Sequence, residues 1–113
     1  MQKLSIQEAL GDTRSNARLD PNIKLYFGDE GHPGKEWTTI KRTNSVGKSY
    51  QESCNRAFLS AIISLQQRAK KEGKHSVVDI YSYHKKHKFS SPTEFECEDG
   101  ALMSAVTLRG KVQ

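Results

Sequence analysis

The sequence predicts an α+β domain: a mostly antiparallel sheet of four to five strands with one long amphipathic helix packed on one face. Three observations predict it. One stretch, Ser49 to Glu72, carries apolar residues at helical spacing. The segments before and after it alternate with the period of two that half-buried strands require. A chain of 113 residues has room for one such core and no more. Residues 1–22 read as an N-terminal segment with a short helix, and residues 23–113 as a single α+β domain.

The elements follow in order. Ser5 and Glu8 have the spacing of a capping box ahead of Ala9 and Leu10, which predicts the short helix. Asp20-Pro21-Asn22 breaks the chain. Ile23, Leu25 and Phe27 then alternate with Lys24 and Tyr26 as a first strand, and Trp37 to Ile40 is aromatic and β-branched enough for a second. Asp29, Gly31, Pro33 and Gly34 mark the loop between them.

In the long helix, Ser49 and Glu52 form another capping box, and Cys54, Ala57, Phe58, Ala61, Ile62, Leu65 and Ala69 recur at spacings of three and four. Lys70 and Lys71 suit the negative end of the helix dipole, and Gly73 can take the left-handed conformation that stops a helix. Beyond it, Val77 to Tyr83 reads as a strand with Val78, Ile80 and Ser82 on one face and Val77, Asp79, Tyr81 and Tyr83 on the other. Thr93, Phe95 and Cys97 alternate with Glu94, Glu96 and Glu98, which turns Phe95 and Cys97 inward. Ala101 to Leu108 is nearly apolar on both faces, as expected of a central strand or of one covered by the N-terminal segment or a second subunit.

Charge is informative mainly through its distribution. The net charge is +5, which permits an anionic partner. Yet the basic run from His84 to Lys88 is followed at hairpin distance by Glu94, Glu96 and Glu98, and pairing of the two segments would neutralise both. That argues against a nucleic-acid site, although Tyr81 and Tyr83 beside lysines have the composition of a stacking platform for single strands. No apolar run is long enough for a membrane span, and Met1 opens no leader-like profile.

The chemistry-bearing motifs are few. Val46-Gly47-Lys48-Ser49 resembles the end of a phosphate-binding loop, but Arg42 stands where its leading glycine belongs, so no nucleotide is expected. Cys54 with His75 or His84 is the one nucleophile and base to consider. The buried stripe on which Cys54 lies disfavours a thiolate, so no catalytic residue and no cofactor are assigned. His84 and His87 are weak candidates for a shared transition metal and otherwise read as exposed loop residues. Cys54 and Cys97 both point into the layer between helix and sheet. They can be two buried thiols or a disulfide, whose closure of a loop of about 44 residues would contribute about 4 kcal/mol in the chain-entropy picture.

Several of these segments resemble a family of small exported bacterial proteins of unknown function, often labelled "excinuclease ATPase subunit". They are Leu25-Tyr26-Phe27-Gly28 with His32-Pro33, Lys41-Arg42-Thr43-Asn44 with Gly47-Lys48-Ser49, Cys54, Ala57 to Ala61, Val77-Val78 with Ile80, Thr93 to Cys97 and Gly100-Ala101. The resemblance extends over most of the chain from Lys24 to Gly110. It implies a domain released from a signal peptide, located in the periplasm or secreted, and an oxidising compartment in which Cys54 and Cys97 form a disulfide. More distantly, the order of helix and strands is similar to an envelope-stress sensor lipoprotein and to a family described as heavy-metal-binding.

The expected function is a non-enzymatic binding or interaction domain with a protein partner in the cell envelope, and homo-oligomers are allowed. Two alternatives stand beside it: a metal or redox sensor built on His84, His87 or the two cysteines, and a nucleic-acid-binding protein.

Overall fold

A computed structural model describes the whole chain, Met1 to Gln113. Its elements are β1 (Gln2–Ser5), α1 (Ile6–Leu10), β2 (Lys24–Phe27), β3 (Glu36–Asn44), α2 (Tyr50–Lys71), β4 (Ser76–His84), β5 (His87–Phe89), β6 (Glu94–Asp99) and β7 (Met103–Val112). It is an α+β fold with one long helix.

α2 forms where its stripe predicts. The Ser49 hydroxyl, on extended backbone, accepts the Glu52 amide at 3.1 Å, and Gly73 follows the last turn at φ 71°. All seven stripe residues are 2% exposed or less. Ser5 caps α1 in the same way, through the Glu8 amide.

The sheet has seven strands and is mixed, which corrects the expectation of four to five mostly antiparallel ones. β7 is its centre. One edge of β7 pairs along its length with β3, while the other is shared, β6 taking Ser104 and Ala105 and β4 taking the half from Leu108 to Val112. β1 lies antiparallel on β6, β5 folds back on β4, and β2 runs parallel to β4. With four and three residues, β1 and β5 are too short for a period of two to show in sequence. The parallel direction of β2 follows from the crossover through β3 and α2 that separates it from β4.

Two local features also depart from the expected pattern. The basic run does not pair with the glutamates as a hairpin; it doubles back on itself, with His84 opposite His87 and Lys85 and Lys86 at φ 51° and 65° in the turn. Two lysines occupy positions that usually need Asn and Gly, so the turn carried no signal. In β4, Asp79 sits in a bulge at φ 54°, and the register with β7 jumps from Val78↔Lys111 to Tyr81↔Arg109. The bulge shifts the alternation, so Val77 and Ile80 both enter the helix-side core.

That core holds Phe58, stacked on Phe95 with centroids 4.1 Å apart, together with Leu59, Ile62, Leu65, Val106 and Leu108. Leu4, Ile6 and Ala9 join it and β1 joins the sheet, so residues 1–22 belong to the same folded unit as the rest. Cys54 and Cys97 form a disulfide that ties α2 to β6, with Cα atoms 5.9 Å apart. No helix is long and apolar enough to cross a membrane.

Candidate functional site

Because α2 covers one face of the sheet, the side chains that alternate to the other face are left to meet solvent or one another. On β3 these are Thr38, Ile40 and Arg42, and on β7 they are Thr107 and Arg109. The β4–β5 hairpin curls over them and leaves a groove of about 320 Å³, completed by Tyr83, His84, Lys85, Lys86 and Glu98. Four cations and one carboxylate line it. Arg109 is fixed: its guanidinium lies 3.9 Å over the Tyr83 ring, Nε donates to Thr38 Oγ1 at 3.1 Å, and Nη1 reaches Glu36 at 3.4 Å. The Tyr81 hydroxyl donates to the same Glu36 at 2.8 Å, and burial raises its pKa, so it stays a donor. Glu98 accepts the Lys85 ammonium at 2.8 Å, and that contact holds its carboxyl below the usual range.

His84 is the unusual member. Its side chain is 6% exposed, Nδ1 lies 3.0 Å from Thr107 Oγ1, and Nε2 has no hydrogen-bond partner, with Glu98 Oε1 3.4 Å away. A buried polar atom left unpaired is costly and is often completed by a ligand or water. The expectation of an exposed loop histidine is therefore corrected for His84, whose ring is shielded by the curl of the hairpin. His87 is 66% exposed and directs Nε2 to a different carboxylate, Glu96 Oε1, at 3.7 Å. The two histidines face one another across the hairpin, but no three His, Cys, Asp or Glu side chains assemble into a group that could hold a metal.

Asp79 organises a second cluster. Its carboxylate accepts the amides of Glu30 at 3.0 Å and His32 at 2.8 Å, the His32 ring at 2.7 Å and the Lys111 ammonium at 3.2 Å. Burial alone would raise its pKa; the His32 ring, the two amides and Lys111 together outweigh burial and drive it well below the usual carboxylate range. The loop after β2 is thereby clamped to the bulge, with Gly28 at φ 97° and Gly31 at φ 75° supplying its turns. An aspartate inside Val77-Val78-Asp79-Ile80 was the signal in the sequence, and the partner on His32 was not readable from it.

The other motifs resolve simply. Ser49 is engaged as a helix cap and Val46 to Lys48 form the turn before it, so this stretch builds no phosphate loop. Cys54 is bonded to Cys97 and fully buried, which removes it as a nucleophile for His75 or His84. Arg42, Thr107 and Arg109 escaped the sequence reading because the groove draws on several strands whose register no local pattern encodes.

Scans of protein-family models, of curated proteins and of solved structures each find no match.

Proposed function

We propose that the protein is an exported, non-enzymatic binding domain that takes an anionic group into the groove beneath the β4–β5 hairpin. The observation that carries this reading is the buried Nε2 of His84, which makes no hydrogen bond and has only Glu98 at 3.4 Å, in a groove where Arg42, Lys85, Lys86 and Arg109 outnumber that carboxylate. Tyr83 and Ile40 offer apolar surface beside the charges, which suits an organic carboxylate better than a bare ion. The disulfide and the resemblance to exported bacterial proteins support an oxidising compartment.

The test is an amide-shift titration with acetate, succinate, citrate and inorganic phosphate at low ionic strength. Saturable shifts at Arg42, Tyr83, His84 and Arg109 are expected, weakened by salt and by Arg42→Ala. Absence of saturation with every anion would remove the reading. So would turnover of a substrate by the purified domain.

A further inference from the structure

β3 has a neighbour on one side only. It pairs with β7 from Glu36 to Asn44, and no strand lies along its other edge. The Ser45 amide donates to the Leu102 carbonyl, in line with the same ladder. Bonding direction alternates along an antiparallel strand, so Trp37, Thr39, Lys41 and Thr43 turn their backbone groups to β7. Thr38, Ile40 and Arg42 turn theirs outward. No strand, loop or side chain of the protein bonds these outward groups, and all three residues are exposed, Ile40 by 48%.

A crevice of about 240 Å³ runs beside this edge, between β3 and α2, lined by Trp37, Thr39, Ser64, Arg68 and Lys71. The Lys35 ammonium lies 4.2 Å and the Arg68 guanidinium 4.0 Å from the centre of the Trp37 ring. Positive charge accumulates along the edge while the nearby acids are engaged: Glu36 by Tyr81 and Arg109, Glu72 by Arg68. Lys41, Arg42 and Lys71 take part in none of the ion pairs of the fold.

We infer that β3 accepts an extended acidic segment of a partner protein as a further strand of the sheet. The partner's main chain bonds the outward groups of Thr38, Ile40 and Arg42, which requires no particular sequence. Selectivity comes from its side chains, which alternate between the crevice at Trp37, Arg68 and Lys71 and the opposite face at Ile40 and Arg42. Acidic residues at those positions meet Arg42 and Lys71, which pair with no acid of the fold, beside Arg68, which is shared with Glu72. A second copy of the chain is a poor occupant, because β3 against β3 sets the same lysines and arginines near one another. This inference does not rest on the groove reading, although the side chains of Thr38, Ile40 and Arg42 also line the groove.

The test uses a short fluorescent peptide alternating glutamate and valine, followed by anisotropy and by amide hydrogen exchange. In the free protein the amides of Thr38, Ile40 and Arg42 are expected to exchange fast and those of Thr39 and Lys41 to be protected. The peptide is expected to slow the three outward amides by about tenfold or more. A lysine and valine peptide, or the acidic peptide N-methylated at alternate residues, is expected not to bind. Ile40→Pro deletes an outward N–H without touching the β7 ladder, so it should fold and lose binding. Three results would overturn the inference: no binding at low salt, binding that leaves the three amides fast, and protection that rises with protein concentration alone, which would assign the edge to a second copy. If Ile40→Pro fails to fold, the N-methylated peptide decides.

Discussion

Asp79 combines the costs that folded chains usually avoid, a buried charge and a left-handed backbone at a residue with a Cβ, and it is tolerated because four donors converge on one carboxylate. Replacing it with asparagine leaves Lys111 short of its countercharge at a buried position. Asp79→Asn is expected to lower stability by about 3 kcal/mol, measured by urea unfolding. The pH dependence has a definite sign. The Asp79 carboxyl is held below its ordinary value of 3.8, so the unfolded state binds its proton first as pH falls. Its contribution is complete above about pH 5 and is lost progressively in acid below about pH 4. Asp12, lowered to about 2 chiefly by its bond from Arg14, acts in the same direction. Unfolding midpoints between neutral pH and pH 3 should therefore fall in the wild type and fall less steeply in Asp79→Asn. Gln66 is a second residue whose role was hidden. It sits on α2 and bonds the backbone of Asp20 and Ile23, holding the loop that leads into β2.

Among the elements, α2 was legible because cap, stripe, basic last turn and glycine stop lie in one contiguous stretch. The neighbouring strand β4 explains the glycine near the far end of β7. A Cβ on Gly110 would lie 2.9 Å from Val77 Cγ1 and 3.4 Å from Ile80 Cγ1, the two side chains that the Asp79 bulge turns inward. Gly110→Ala is expected to destabilise by about 1–3 kcal/mol through overpacking. Phe58→Ala, which opens a cavity against Phe95, should cost about 3–5 kcal/mol; thermal and urea unfolding check both. The β4–β5 hairpin was illegible for the opposite reason, since its turn residues are the wrong ones for its geometry. That makes a gain available: Lys85→Asn with Lys86→Gly relieves two strained positions and should stabilise by about 1 kcal/mol or more, visible as a higher melting temperature. Because Lys85 and Lys86 also line the groove, the same double variant should bind anions more weakly.

For the molecule as a whole, the sequence disclosed the core and concealed the proposed binding faces. A core announces itself by periodicity within single segments. The groove and the β3 edge depend on register between distant strands, and even the net positive charge becomes informative only once the pairing shows which cations lack partners. The disulfide stands between these cases, because two inward-facing cysteines were readable from the residues, while their bond followed only from the family resemblance. That bond joins the helix to the sheet within the core. Its removal should lower stability by about 4 kcal/mol. The most direct measurement is intact mass after denaturation with an excess of alkylating reagent, on protein purified without reductant. No adduct is expected before reduction and one on each of Cys54 and Cys97 after it. Alkylation of both without reductant would contradict the crosslinked core and, with it, the proposed oxidising compartment.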